Sequence, residues 1–206
     1  MDFLRPVEAI VGGAQGRLLA ALANVTSPLT LRRLAGLAGV SPAQASRVMP
    51  RLVELGVVER YEVPPASQFL LVRDNVVARS ILALADLRIA MLRLMGEEAE
   101  SISPAPSSVI VFGSFARGEA DADSDIDVVV VRPDVVDEDD ADWAESLEAW
   151  RQRVRVLAGN DVEVIEAAAS EVSRKLRGRS ELWRQIRQDA TVVFGAGVDA
   201  LANAKG

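Results

Sequence analysis

The chain has 206 residues, half of them hydrophobic, and carries a net charge of −7 with no Cys and no His. That length holds one large or two small domains. The missing residue types exclude disulfides, zinc sites built from Cys or His, and any mechanism with a histidine base or a cysteine nucleophile. A metal site here would have oxygen ligands only, which suits Mg²⁺ or Mn²⁺. No apolar run reaches membrane-spanning length, and Met1 to Pro6 is unlike a signal peptide, so the expectation is a cytoplasmic protein with no membrane partner. Charge is uneven: residues 1–80 carry 9 Arg against 6 acids, net +3, and the remainder is net −10. Two modules with different partners are expected.

Residues 16–23 read as an apolar-periodic helix. Thr30 caps a second helix over 31–38, which Gly39 ends. Ser41-Pro42 sets a capping residue before a proline at the first helical position, so a third helix starts there and runs to Leu55, closed by Gly56. Pro50 inside it removes a backbone donor and predicts a kink. Residues 57–63 and 68–72 read as strands joined by the turn Pro64-Pro65-Ala66-Ser67.

This order of helix, helix-turn-helix and hairpin resembles the winged helix-turn-helix of bacterial transcription regulators. The segments Leu34 to Arg47 and Leu52 to Val58 carry the likeness. The resemblance implies double-stranded DNA as a partner, with the third helix in the major groove. Gln44 and Arg47 suit base edges, and Arg51, Arg32 and Arg33 suit phosphates. Arg60, near the wing, reaches backbone or minor groove.

Residues 75–100 read as one long helix. Ile81, Leu84, Leu87, Met91, Leu94 and Met95 recur at 3- and 4-residue steps, and further apolar residues exceed what a single contact needs. Such a helix packs on both domains or pairs with a second copy as a homodimer. Residues 101–107, rich in Ser and Pro, read as a linker.

The most informative stretch follows. Residues 108–112 form a short apolar run that ends at Gly113-Ser114, which reads as a buried strand entering a turn. Ser114 is expected to cap a short helix through Gly118. After an acidic loop, Asp125-Ile126-Asp127 opens a second apolar run that Pro133 stops. Carboxylates at i and i+2 share one face of a strand and repel each other unless a cation lies between them. A Gly-Ser turn lets backbone N–H groups approach phosphates closely. Metal with phosphate points to nucleotide chemistry.

Gly-Ser, ten residues, then Asp-x-Asp resembles the signature of the polymerase-β-like nucleotidyltransferases, in particular the minimal ones. The resemblance implies that Gly113 and Ser114 hold a triphosphate, with Arg117 neutralising charge, and that Asp125 and Asp127 bind Mg²⁺ or Mn²⁺. It also implies a third carboxylate on a neighbouring strand. Glu163, between two valines, is the candidate, with Asp161 competing; Glu is a departure from the commoner Asp. The catalytic and metal set is then Asp125, Asp127 and Glu163, and the substrate an NTP, ATP foremost.

Beyond this, residues 143–157 form a helix and 160–165 a strand. Residues 170–176 and 180–189 read as helices, 191–195 as a last strand, and the tail from Ala196 as loose. The expected class is α+β. A winged helix-turn-helix occupies 1–74, a connecting helix and linker 75–107, and a small mixed-sheet nucleotidyltransferase fold 108–206. The expected function is Mg-dependent transfer of an NMP from an NTP to an acceptor hydroxyl, linked to a DNA-binding domain. Two alternatives stand beside it. One is a non-catalytic, nucleotide-sensing DNA-binding regulator. The other is an antitoxin-like protein acting on a partner protein.

Overall fold

In the computed structural model, which describes residues 1–203, the chain divides into two units. One is Arg5–Leu87; the other is Met1–Leu4 together with the chain from Arg88 onward.

In the first unit, local capping chemistry sets the helix boundaries. It contains α1 (Pro6–Ile10), α2 (Gly13–Ala23), β1 (Leu29–Thr30), α3 (Leu31–Leu37), α4 (Pro42–Glu54), β2 (Val58–Tyr61), β3 (Gln68–Leu71) and α5 (Val76–Ala85). Thr30 caps α3 by accepting from the Arg33 N–H. Ser41 and Gln44 form a reciprocal capping box that starts α4, satisfying two donors that a helix start otherwise leaves bare. Asn75 caps α5 by accepting from Val77 and Ala78. The helix α4 continues through Pro50, and the Ser46 carbonyl, which loses its usual donor, belongs to an exposed residue. The strands form an antiparallel sheet in the order β1-β3-β2. Its core gathers Leu18, Leu22, Leu34, Ala45, Met49, Leu52, Phe69 and Ile81.

The second unit contains α6 (Leu87–Ala99), β4 (Ser108–Phe112), α7 (Gly113–Arg117), β5 (Ile126–Arg132), α8 (Ala141–Ala158), β6 (Val162–Ala168), α9 (Ala169–Arg177), α10 (Glu181–Asp189), β7 (Thr191–Gly195) and α11 (Val198–Asn203). The sheet is mixed, in the order β6-β5-β4-β7. β4 is antiparallel to β5 and β7, while β5 and β6 run parallel and are joined through α8. Ile110, Phe112, Val129 and Val131 face a core completed by Val172, Leu176, Trp183, Ile186 and Leu201. Val109, Val111, Val128 and Val130 alternate with them and are just as buried. Burial on both faces is why these strands read as unbroken apolar runs. Helix α6 approaches β7 so closely at Gly96 that a Cβ there would overlap the Val193 carbonyl. The Trp150 indole of α8 donates to the Met95 carbonyl at 3.3 Å.

Three expectations are corrected. The helix expected over 75–100 breaks at Asp86, because its halves serve different cores: Ala78 and Ile81 belong to the first unit, Met91, Met95 and Ala99 to the second. Ser114 does not cap α7, which starts at Gly113 from an extended Phe112. The segment after Ala196 is not loose; α11 forms and buries Leu201 in the second core, though residues 204–206 of that expected tail lie outside the described residues.

Arg132, at the end of β5, is 8% exposed. It donates to Glu166 on β6 at 2.6 Å and to the Val136 carbonyl. Only Arg132 is buried in this pair, the Glu166 side chain being partly exposed, so Arg132→Ala is expected to cost about 1–3 kcal/mol through the lost packing and the two acceptors left without their donor. The measurement is the urea midpoint of the second unit. An unchanged midpoint would put the pair in the class of weak exposed ones.

Candidate functional site

Register brings the acidic side chains together. Asp127 pairs with Phe112 across the antiparallel β4–β5 ladder and with Glu163 across the parallel β5–β6 ladder. Gly113, next after Phe112, therefore lies against Asp127, and a Cβ there would overlap Asp127 Oδ2. Its φ of +71° is a second reason for glycine. The turn Gly113–Arg117 ends at Gly118, φ +76°. Asp125 stands one residue before β5 and is exposed, as is Glu163; Asp127 is half-buried.

The electrostatics follow from this placement. Burial pushes the Asp127 carboxyl above its ordinary value, the Asp125 and Glu163 carboxylates push it further, and the Arg117 guanidinium pulls against them. Arg117 itself is held by Glu119 at 2.8 Å. Asp161, the rival to Glu163, pairs with Arg155 of α8 at 2.8 Å and takes no register place opposite Asp127.

Among the described residues no three acidic side chains are grouped so that they could hold a metal ion. Asp125, Asp127 and Glu163 are nonetheless coupled, since two of them raise the pKa of the third. An all-oxygen set held in mutual repulsion fits a hard divalent cation in kind.

A network not expected from the sequence supports this edge. The Asp121 carboxylate accepts from the Ser124 hydroxyl at 2.8 Å and the Asp123 N–H at 3.1 Å. The hydroxyl of Ser124 lowers the Asp121 pKa most. Buried Asn160 donates to the carbonyls of Ser124 at 2.8 Å and Asp121 at 3.3 Å. One amide thus ties the loop that delivers Asp125 to the segment that opens the Glu163 strand. Its only sequence signal is an Asn after the helix-ending Gly159.

In the first unit, the expected DNA-facing side chains fall into two groups. Arg32, Arg33 and Arg47 are exposed and make no ion pair or side-chain hydrogen bond among the described residues. The others are engaged. Gln44 accepts from the Ser41 N–H at 3.0 Å within the capping box. Arg51 pairs with Glu54 at 2.8 Å, and Arg60 with Glu62 at 2.9 Å and with Ser67. A cavity of about 1100 Å³ lies between α4 and the hairpin, lined by Met49, Pro50, Val53 and Phe69 with Arg32 and Arg60. No helix among the described residues is long and apolar enough to cross a membrane.

Comparison with known proteins agrees with this architecture. Residues 92–189 match the family model of a nucleotidyltransferase domain, and residues 16–62 match that of the IclR helix-turn-helix domain. No curated protein matches the chain. A chain of a solved structure described as "Crystal structure of the toxin-antitoxin with AMP-PNP" is similar at 17% identity and a TM-score of 0.37, over 57% of this chain and 80% of that one. The chain joins an N-terminal helix-turn-helix domain of the IclR type to a nucleotidyltransferase domain.

Proposed function

We propose that this protein transfers a nucleoside monophosphate from a nucleoside triphosphate, ATP foremost, to an acceptor hydroxyl, releasing pyrophosphate. The observation that carries the reading is the register pairing of Asp127 with Glu163, with Gly113 packed against the Asp127 carboxylate. That arrangement sets a glycine turn beside a concentrated negative charge.

Each residue has a role in this reading. Backbone N–H groups of the Gly113-Ser114 turn receive the β- and γ-phosphates. Arg117, freed from an exposed pair with Glu119, offsets their charge. Asp125, Asp127 and Glu163 are the residues that would hold Mg²⁺ or Mn²⁺. Bound there, the cation supplies Lewis-acid polarisation of the α-phosphate and offsets charge on the departing pyrophosphate. The acceptor oxygen attacks the α-phosphorus, the bond to the pyrophosphate oxygen breaks, and the acceptor proton passes to Glu163 as general base. Glu163 is exposed, so an acceptor from solvent can reach it.

The first unit, in the same reading, binds double-stranded DNA through α4. Arg47 reads a base edge, while Arg32 and Arg33 contact phosphates. Arg51 and Arg60 leave exposed carboxylate partners at little cost to join them. Gln44, whose side chain accepts from the Ser41 N–H in the capping box, would have to leave that bond to reach a base edge.

Asp127→Asn is expected to lower NTP-dependent pyrophosphate release by more than about a hundredfold. Turnover equal to wild type would sink the transferase assignment. Without nucleotide or metal, the same variant should melt no lower than wild type at pH 7. The sign follows from the raised pKa: ionised Asp127 opposes folding above that pKa, and a neutral Asn does not. The advantage should shrink as pH falls and Asp127 takes up a proton. A clearly lower melting point at pH 7 would contradict the electrostatic account.

Arg47→Ala should weaken binding to a duplex spanning the region upstream of the gene by about 1–3 kcal/mol and relax its sequence preference. Equal affinity of wild type for that duplex and for a scrambled one would count against a base-reading role.

A further inference from the structure

We propose that Phe3 and Arg88 are positioning residues that hold the Gly113–Gly118 turn ready for a triphosphate, an inference that rests on the nucleotide-binding reading above. The turn consists of the five-residue helix α7 and its terminal glycines. Its closing bonds run from Gly118 N–H to the Phe115 carbonyl and from Glu119 N–H to the Ser114 carbonyl. Both ends sit at positive φ, where glycine brings the most conformational freedom to be lost. A binding turn becomes precise only when neighbours lock it.

Two residues far away in sequence do so, from separate directions. Phe115 is the buried side chain of the turn, and buried Phe3 meets it edge to face, with centroids 4.8 Å apart at 72°. The next residue, Leu4, donates its N–H to the Ala120 carbonyl at 2.8 Å, just beyond the turn. Half-buried Arg88, near the start of α6, donates Nη1 to the Ala116 carbonyl at 3.1 Å. Its Nε also lies 3.3 Å from where a Cβ on Gly118 would stand. Phe3 thus fixes the inner face of the turn by packing, and Arg88 fixes its exit by a charge-assisted bond to a carbonyl.

Arg88 also brings a cation to this turn, where Arg117 is already engaged by Glu119. Leu4 and Arg88 are, moreover, the residues at which the chain leaves for, and returns from, residues 5–87.

The test compares full-length wild type with Phe3→Ala, Phe3→Leu, Arg88→Ala and Arg88→Lys. The leucine and lysine variants guard against simple loss of folding. Hydrogen exchange of the amides of residues 113–118, measured without nucleotide, should speed up several-fold in Phe3→Ala and Arg88→Ala. Affinity for MgATP by calorimetry should fall about tenfold in those two variants, since small misplacements of binding groups carry costs of that order. Arg88→Lys should recover part of the loss. The effect should appear in KM, with kcat at saturation close to wild type. Wild-type exchange and affinity in both alanine variants would overturn the inference alone. Failure of wild-type protein to bind any nucleoside triphosphate would instead overturn the reading on which it rests, and the inference with it.

Discussion

Two carboxylates stand side by side because β5 and β6 pair in parallel, with Asp127 opposite Glu163. Parallel pairing requires a crossover, which α8 supplies, and the crossover requires apolar surface on the sheet for α8 to cover. The buried valines of β4 and β5 therefore have two consequences. They build a sheet that must be covered on both faces, and they carry an acidic residue to an edge where it meets another. Like charges placed together oppose folding unless something offsets them. The structure meets that cost locally, through partial exposure of the site and the nearby Arg117 guanidinium.

Backbone geometry around this edge is closely specified. Gly113 is required twice, once by its φ and once by the oxygen of Asp127 at its back. The loop that follows is fixed by hydrogen bonds: Asp121, Ser124 and Asn160 close a short network that sets the approach to Asp125. Packing from Phe3 and a bond from Arg88 complete the support of the preceding turn. The unit thus presents acidic side chains on a strand pair beside a glycine-flanked turn that neighbouring side chains support.

The first unit works by different physics. Its helix boundaries are local, set by Thr30, Ser41, Gln44 and Asn75 acting as caps. Of its arginines, Arg51 and Arg60 are held by Glu54 and Glu62, while Arg32, Arg33 and Arg47 make no ion pair among the described residues. Exposed ion pairs of this kind contribute little to stability. Gln44 differs, because its side chain accepts from the Ser41 N–H and moving it would lose the reciprocal half of the capping box.

Much of this was legible in the sequence, for reasons that are local. Caps, glycine turns and alternating or continuous apolar runs fix elements within a few residues. Ser41-Pro42, Gly113-Ser114 and the runs at 108–112 and 126–131 accordingly marked helix starts, a turn and strands. The interruption at Asp86 was hidden because both halves of the segment share one helical period, and only the assignment of each half to a different core ends the first. The different placement of Asp161 and Glu163 was equally hidden. Both are acids at the start of one strand, and the difference lies in strand register and in an ion pair to Arg155. Asn160, Phe3 and Arg88 carry no motif at all. By itself the sequence determined which residues are chemically able to bind metal and phosphate, and the local elements that bear them. Only the tertiary structure decided which of them meet, because register, crossover and long-range packing depend on contacts between residues that the chain keeps far apart.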